Sequence, residues 1–401
     1  MRAENSIKAN KANPREFYMD WKKIRVLVLD GAARQTLTVI KGLTNLGCYI
    51  VTLNTSKLDV GYTSRYPNEK LIVPKEYFNG DYYSYIQMLA ETGRFDVILP
   101  LTDKTMDIVT LHSEELKQYV RLPIPERQIF LKAYNKQLTM EFCMDNNIPC
   151  PITKRTDDSI DEIIDKVGFP LIAKPRIGSD SKGLKIIHDR NQLENLIKSK
   201  DIIFDEYVIQ EFIPQTGKQY NVHLFSDEKG AVIDSLVTEK TRWYPIYGGG
   251  CSLCRTVNNT AAKKNSVRLL EKINWQSYCE VEMIEDPRDG VPKVMEINGR
   301  ASGSIKIMEL AGINVAEQML QLAYELPITP QGNIKEDVRL RHLFRDVLWF
   351  IKSKDRFTCK PSWFSMKRTH EVLFSIHDPL PFFSYMIKRG SLCQKEMVKR
   401  S

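Results

Sequence analysis

The chain has 401 residues, 42% of them apolar and 27% charged, a composition typical of a soluble globular protein with two or three domains. No apolar run approaches the roughly 20 residues that cross a bilayer, and the polar N-terminus does not resemble a secretory signal, so we expect a cytoplasmic protein. In that compartment the 8 cysteines should stay reduced, and we expect no disulfides.

Two cysteines, Cys251 and Cys254, have the spacing of half a zinc site. No second pair and no spaced histidines complete a tetrahedral set. We therefore expect them to be two small loop residues.

The basic charge is concentrated at the C-terminus. Residues 333–401 hold 15 Lys and Arg against 7 Asp and Glu, which accounts for the whole net charge of +8. The basic residues are not interleaved with a known nucleic-acid-recognition motif, so we expect no nucleic-acid partner. Two interpretations of this aromatic, basic segment stay open: a helical cap packed on the domain that precedes it, which we favour, or an amphipathic surface that touches anionic lipid or an acidic glycan precursor.

In chain order, polar residues 1–22 predict a flexible N-terminus, and the apolar run at 24–30 predicts a buried strand. A helix at about 35–46, ended by Gly47, and a strand at 48–54 complete a βαβ unit with parallel strands. A third strand covers 95–103.

Ligands gather at the carboxyl ends of strands in such sheets, so Asp30, Thr102 and Asp103 are positioned to hold a substrate. No G-x-G-x-x-G follows the first strand, which argues against a dinucleotide.

A second domain is expected to begin near residue 125. A helix at 135–147 leads into the two prolines of 148–153, which indicate an extended connector. Short strands then alternate through residue 298, as in an α+β domain rich in antiparallel strands.

The most specific segment is VMEINGRASGS, from Val294 to Ser304. Glu296 and Asn298 project from one face of a strand, because side chains two apart point the same way. The upstream strand offers Glu280 and Glu282 at the same spacing. Carboxylate and amide oxygens suit Mg²⁺, although a solvated acidic strand face would have a similar pattern.

A second segment has the residue types of a phosphate-binding loop. Lys174 ends an apolar strand, and the loop after it contains Gly178, Ser179, Ser181, Lys182 and Gly183, which together supply close backbone approach and polar donors. The loop is not a Walker motif, and an ordinary hairpin turn is the alternative interpretation. About 35 residues later, backbone groups around Glu211, Phe212 and Ile213 are placed where they could bind an adenine edge.

The ordered set of Lys136, Lys174 with its loop, QEFI at 210–213, Glu282 and EINGR at 296–300 resembles the ATP-grasp superfamily over residues 24–327. SRYP at 64–67 and DVILPLTD at 96–103 make the chain most similar to carbamoyl-phosphate-synthetase-like carboxylate–amine ligases.

The resemblance implies an α/β and α+β fold. A Rossmann-like, parallel-sheet pre-ATP-grasp domain at 23–124 would precede an ATP-grasp domain at 125–332, with a small lobe at about 151–215 and a large lobe at about 216–332. A basic helical segment at 333–401 would follow.

It also implies roles for individual residues. Lys136 and Lys174 would contact the α and β phosphates of ATP, residues 178–183 would close over the triphosphate, and 211–213 would form the adenine hinge. Mg²⁺, or Mn²⁺ as an alternative, would be held by Glu282, Glu296 and Asn298.

Two positions depart from the family pattern. Gln219 stands where a glutamate usually grips the ribose, and Gly299 stands where many relatives have proline. Nucleotide binding should survive both changes.

The activity implied by the resemblance is ATP-dependent activation of a small carboxylate as an acyl phosphate, followed by attack of an amine. Arg300 would stabilise the acyl phosphate, and Lys240 or Arg242 would face the γ-phosphate. A flap at Gly248–Gly250 would exclude water, and a dimer is compatible with the sequence. Carboxylation through carboxyphosphate and a catalytically silent ATP-binding protein are the alternatives.

Overall fold

The computed structural model describes residues 19–77, 81–178, 182–246, 249–331 and 336–400. No helix in these ranges has both the length and the apolar character needed to cross a membrane. The strands of the described part form a four-stranded, a three-stranded and a seven-stranded sheet. This arrangement confirms the predicted fold class, with a parallel N-terminal sheet ahead of an α+β region.

The first sheet is parallel, and three of its four strands are buried on both faces, as expected of a sheet covered by helices. Its strands are β1 (Arg25–Val28), β2 (Tyr49–Asn54), β3 (Glu69–Ile72) and β4 (Val97–Leu99), in the order β3-β2-β1-β4. The accompanying helices are α1 (Thr36–Leu46), α2 (Val60–Thr63), α3 (Tyr82–Glu91), α4 (Asp103–Leu111) and α5 (Ser113–Leu116). Gly47, with φ of 86°, ends α1 as predicted.

A small antiparallel sheet follows two connecting helices. The helices are α6 (Arg127–Tyr134) and α7 (Lys136–Asp145). The small sheet contains β5 (Leu171–Pro175), β6 (Lys185–Ile187) and β7 (Tyr207–Glu211), in the order β6-β5-β7. Its covering helices are α8 (Ile160–Val167) and α9 (Arg190–Lys198), which pack on a separate apolar core.

The large sheet carries most of the remaining chain. Its strands are β8 (Gln219–Ser226), β9 (Val232–Tyr244), β10 (Gly250–Thr256), β11 (Ser277–Glu285), β12 (Pro292–Asn298), β13 (Arg339–Arg341) and β14 (Thr369–Glu371), in the order β12-β11-β8-β9-β10-β13-β14. Its helices are α10 (Thr260–Ile273), α11 (Lys306–Leu310), α12 (Val315–Ala323), α13 (Leu343–Lys352) and α14 (Leu380–Arg400).

The N-terminal sheet region packs directly on the large-sheet region through α1 and α12. A Cβ added at Gly42 would lie 2.8 Å from the Ala316 Cβ, so the glycine permits this close approach. One apolar core includes side chains of both regions, such as Val28 and Leu320. The carboxyl end of the parallel sheet is thereby held beside the large sheet.

The C-terminal segment is helical as we expected, through α13 and α14, and it also adds β13 and β14 to the large sheet past residue 332. Helix α13 packs on β9 and β10 of the large sheet, as the cap interpretation predicts, whereas α14 packs on α2 of the N-terminal sheet region. The fully buried Asp346 of α13 receives two hydrogen bonds from Arg242 of β9, at 2.8 and 2.9 Å. This ion pair anchors the segment to the sheet.

Candidate active site

A cavity of about 470 Å³ lies between the small and the large sheet, within the usual size range of ligand pockets. Many of the predicted site residues line it. They are Lys136, Lys174, Gly178, Lys182, Phe212, Gln219, Lys240, Glu282, Glu296, Asn298 and Arg300.

Two lysines enter the cavity from rigid elements. Lys136 is the first residue of α7, whose N-terminus is capped by Asn135, and its Nζ donates to the Gly178 carbonyl at 2.8 Å. The same ammonium lies 3.2 Å from Glu296 Oε2. Lys174 projects from β5 and donates to the Met295 carbonyl at 3.1 Å, and burial lowers its pKa to about 8.

Acidic side chains face these lysines from β11 and β12. The antiparallel register sets Glu282 opposite Glu296 and Glu280 opposite Asn298, which brings both predicted pairs to one surface. Lys240 of β9 forms an ion pair with Glu282 at 2.5 Å. Burial raises the pKa of Glu282, but Lys240 and a hydrogen bond from Asn298 outweigh that effect, so the net shift is downward.

Oxygen donors suited to a hard cation meet on this surface. In the described ranges, no three His, Cys, Asp or Glu side chains are grouped to hold a metal by themselves. Asn221, however, lies next to Glu282 in the sheet register and lines the cavity, and its buried Oδ1 has no partner among the described residues. The donor set therefore fits Mg²⁺ when phosphate and water oxygens complete the coordination.

Arg300 connects the acidic surface to the N-terminal sheet. Its Nη2 donates to Asn298 Oδ1 at 2.8 Å, and its Nε lies 3.2 Å from Asp103 Oδ2. With the amide in this orientation, the Asn298 oxygen faces Arg300 rather than the carboxylates. Asp103 thus reaches the site as expected.

Asp30 and Thr102 do not face the cavity, contrary to our expectation. The buried Asp30 carboxylate accepts hydrogen bonds from the Leu101 backbone, from Thr102 and from Thr105. Burial raises the pKa of Asp30 despite these bonds. Its role is to tie β1 to the start of α4.

Arg242 also lies outside the cavity, and its predicted place beside Lys240 at the γ-phosphate is wrong. Both residues project from β9, but α13 covers the Arg242 end of that strand. The guanidinium is only 2% exposed and is neutralised by Asp346. Sequence spacing alone could not show that a helix from another segment would cover this position.

Of the predicted hinge residues, Phe212 lines the cavity, whereas Glu211 and Ile213 do not. The Glu211 carboxylate accepts from the Ile152 backbone at 2.9 Å and pairs with Arg288 at 2.7 Å, so it joins two loops.

The loop after β5 is only partly described. Gly183 packs against Pro175 with φ of 76° and does not line the cavity. Ser179, Ser181 and Gly248 lie outside the described residues.

The sequence reasoning missed an apolar wall at one end of the cavity. Ile172 and Ile186 face each other across β5 and β6, and Leu184, Ile284 and Met295 complete the wall. Ile172 lies two residues before Lys174, so the alternation of β5 could have indicated it. A flat apolar wall beside lysines suits a nucleotide base next to its phosphates.

It also missed Arg34 and Arg345, which come from the N-terminal sheet region and from α13. Cys251 and Cys254 line the cavity as well, and they lie on β10 rather than in the expected loop. No local pattern marks the two arginines, and the spacing of the two cysteines indicated only half a zinc site.

The charge of the cavity favours a polyanion. The described lining residues include seven lysines and arginines against three glutamates. The cations are Arg34, Lys136, Lys174, Lys182, Lys240, Arg300 and Arg345. Such an excess is what a triphosphate with its metal ion would neutralise.

Comparison with known proteins agrees with this geometry. Residues 133–304 match the ATP-grasp domain family. The D-alanine--D-alanine ligase of Bacillus anthracis is 27% identical over 208 residues, which cover 46% of this chain and 67% of the ligase. The D-aspartate ligase of Enterococcus faecium is 24% identical over 244 residues, covering 55% and 56% of the two chains.

Among solved structures, the biotin carboxylase domain of Hydrogenobacter thermophilus 2-oxoglutarate carboxylase has a TM-score of 0.65 at 15% identity, covering 78% of this chain and 73% of that one. At this identity the likeness concerns the fold. The chain therefore carries an ATP-grasp domain and is similar to the ATP-dependent carboxylate–amine ligases.

Proposed function

We propose that this protein is an ADP-forming ligase that joins a carboxylate to an amine at the expense of ATP. One observation supports this proposal most directly: Lys136 and Lys174 face Glu282 and Glu296 across one cavity of an ATP-grasp domain. Relatives named as D-alanine, D-aspartate and L-glutamate ligases support an amino acid as one substrate.

ATP would lie with its base against the apolar wall and its phosphates toward the lysines. Lys136 and Lys174 would bind the α and β phosphates, and Lys182 would approach from the loop after β5. Gln219 lines the cavity and could accept a hydrogen bond from a ribose hydroxyl or donate one to it, since an amide group does both.

Mg²⁺, with Mn²⁺ as the alternative, would be held by Glu282, Glu296 and an amide oxygen of Asn298 or Asn221. The bound cation would neutralise the charge of the phosphates. Lys240 lies 2.5 Å from Glu282 and Lys136 lies 3.2 Å from Glu296, so a cation bound to these carboxylates would leave both lysines to phosphate.

The reaction needs positioning more than acid–base chemistry, because the attacking carboxylate is already an anion. Its oxygen attacks the γ-phosphorus and ADP leaves. The amine then attacks the acyl carbon, phosphate leaves, and the amine nitrogen loses a proton to give the amide. Lys240 and Arg300 would stabilise charge on the transferred group and on the acyl phosphate.

The test is ADP and phosphate release by the full chain with Mg-ATP and pooled carboxylic acids and amines. Release should require one acid and one amine together, and Lys174→Met should abolish it, whereas the surface variant Lys166→Met should retain it. Release with bicarbonate alone would instead favour carboxylation through carboxyphosphate. No release with any pool would favour a silent ATP-binding protein.

We further propose that the protein acts in the cytoplasm and that its first domain ends at residue 124, as the sequence predicts. The predicted boundary at residue 332 divides strands of one sheet, so we propose that the C-terminal segment belongs to the large-sheet domain. A dimer remains a prediction.

The C-terminal segment offers a surface for peripheral contact with an anionic membrane. Phe357 and Ile376 are 73% and 78% exposed, and several other large apolar side chains between 347 and 387 are also exposed. Over the described residues 343–390, the exposed charged side chains are basic apart from Asp355. Exposed apolar side chains combined with exposed basic groups are typical of proteins that bind anionic lipid at the interface.

A further inference from the structure

Alternate residues of β11 line the cavity in a row. Ile284 belongs to the apolar wall, Glu282 is a proposed cation ligand, and Glu280 comes next. Side chains two apart on a strand are separated by about 7 Å, so Glu280 lies about that far beyond the cation site, away from the wall. A carboxylate that attacks the γ-phosphorus enters on the side opposite ADP. The acid and the amine would therefore occupy the end of the cavity where Glu280 lies.

The Glu280 carboxylate is held by neutral groups. It is only 3% exposed, and it accepts hydrogen bonds from Ser304 at 2.8 Å and from Asn298 at 3.3 Å. His223 Nδ1 lies 3.5 Å from Glu280 Oε2, but burial lowers the pKa of His223, so the imidazole stays neutral. Among the described residues no lysine or arginine lies at ion-pair distance from Glu280. A buried carboxylate in this state favours a cationic ligand.

Two nearby cations are engaged elsewhere. Lys240 and Arg300 interact with Glu280 electrostatically, but Lys240 contacts Glu282 at 2.5 Å. Arg300 donates to Asn298 Oδ1 at 2.8 Å. In the proposed reaction both cations would bind phosphate oxygens, which leaves Glu280 to another group.

Asn298 connects Glu280 to Arg300. Its amide oxygen accepts from Arg300, and its amide nitrogen donates to Glu280 Oε1. One side chain thus sets the carboxylate beside the guanidinium that would bind the acyl phosphate. A carboxylate has about four acceptor positions, and Ser304, Asn298 and His223 do not fill all of them. An ammonium group that contacts Glu280 would therefore lie near the acyl carbon that it attacks.

We propose that Glu280 binds the ammonium group of the amine substrate, so that the protein selects amines that are protonated at neutral pH, such as aliphatic amines and amino acids. This inference rests on the proposed function. An ammonium group offers three N–H donors to carboxylate oxygens, and such charge-assisted hydrogen bonds are shorter and stronger than neutral ones. A hydroxyl group in its place would leave the carboxylate without a counter-charge, which is the basis for selection against it.

The first test measures binding apart from turnover. The full chain, loaded with Mg²⁺ and a non-hydrolysable ATP analogue, is titrated calorimetrically with matched amines and alcohols. The pairs are alanine, aspartate and glutamate, in D and L forms, against the matching 2-hydroxy acids, and propylamine against propanol. We expect at least one amine to bind about tenfold more tightly than its hydroxyl partner, and Glu280→Gln should remove that difference.

The second test measures the reaction and uses hydroxylamine, which is uncharged at neutral pH. Hydroxylamine attacks the acyl carbon of an acyl phosphate and loses a proton, phosphate leaves, and the hydroxamate product is detected with iron(III). With Mg-ATP and pooled carboxylic acids, Glu280→Gln should form hydroxamate at nearly the unmodified rate. Its KM for the amine that the unmodified chain uses should rise about tenfold or more, because only the charged amine needs the carboxylate.

Two further variants serve as controls. Glu114→Gln removes the same charge at the surface, where Glu114 pairs with Lys117, and should change neither measurement. Where Glu280→Gln fails to bind the ATP analogue, Ser304→Ala takes its place, because it removes one hydrogen bond that orients Glu280. It should lower the preference for the amine and spare hydroxamate formation, and an unchanged preference would overturn the inference.

The inference is also overturned when no amine binds more tightly than its hydroxyl partner, or when Glu280→Gln keeps the preference of the unmodified chain. Loss of hydroxamate formation in a Glu280→Gln variant that still binds the ATP analogue would count against it too, since the carboxylate would then serve the activation of the acid, as a cation ligand does. A preference for the amine that depends on Glu280, without hydroxamate from any acid, would instead count against the proposed ligase activity alone.

Discussion

The buried ammonium of Lys174 should make ATP affinity depend on pH. Its pKa is lowered to about 8 by burial, while the nearby Glu296 opposes and Lys136 reinforces that shift. The protonated form is the one that binds phosphate. Below pH 8 the proton is already present, whereas above pH 8 binding must recruit a proton, so affinity falls as pH rises.

The magnitude follows from the pKa. At pH 9 roughly nine in ten chains would carry the neutral amine, which weakens ATP binding about tenfold relative to pH 7, since one pKa unit corresponds to about 1.4 kcal/mol. The assay is titration of the full chain with a non-hydrolysable Mg-ATP analogue at half-unit steps from pH 7 to 9.

The matched control is Lys174→Arg, whose guanidinium stays charged throughout this range and should give a nearly flat profile. A flat profile in the unmodified chain, or the same slope in Lys174→Arg, would refute the assignment of the pH dependence to Lys174.

Three further predictions test other parts of the structure. Asp346→Asn should lower the free energy of unfolding by about 3–5 kcal/mol, because it leaves the buried Arg242 without a counter-charge. A denaturant titration measures this change, and an unchanged unfolding midpoint would contradict the prediction. Glu296→Gln should reduce ADP formation at least a hundredfold through loss of a cation ligand, as measured by steady-state kinetics over a range of Mg²⁺ concentrations. Replacing Phe357 and Ile376 together by serine should reduce sedimentation with phosphatidylglycerol vesicles several-fold while leaving ADP formation intact, and equal binding to phosphatidylcholine vesicles would argue against an anionic-lipid contact.

Features that depend on a single strand or helix were predictable from the sequence. Glu280 and Glu282 are two residues apart, as are Glu296 and Asn298, so each pair lies on one strand face. The pairing of β11 with β12 then brings the two pairs together. Gly47 marks the end of α1 because the chain turns there with positive φ. Local periodicity decides such features.

Features that arise from packing between distant segments were not predictable. Strands β13 and β14 are three residues each, too short for an alternating pattern to stand out from a helical one. Arg242 has the spacing of a cavity residue, but a helix from a hundred residues later covers it. Arg34 and Arg345 line one cavity only because the loop after β1 and helix α13 come together in the folded chain.

The positions of these residues connect the stability of the C-terminal segment with the chemistry of the cavity. Asp346 is the next residue after Arg345 on α13, and its buried bonds to Arg242 fix the rotation and depth of that helix against β9. Arg345 is thereby held against Gly250 at the cavity. A helix that only capped the sheet would need no charged anchor, since apolar contacts stabilise such packing without the desolvation cost of a buried ion pair. The anchor is understandable if the placement of Arg345 in the cavity matters, and this makes the C-terminal segment part of the active site.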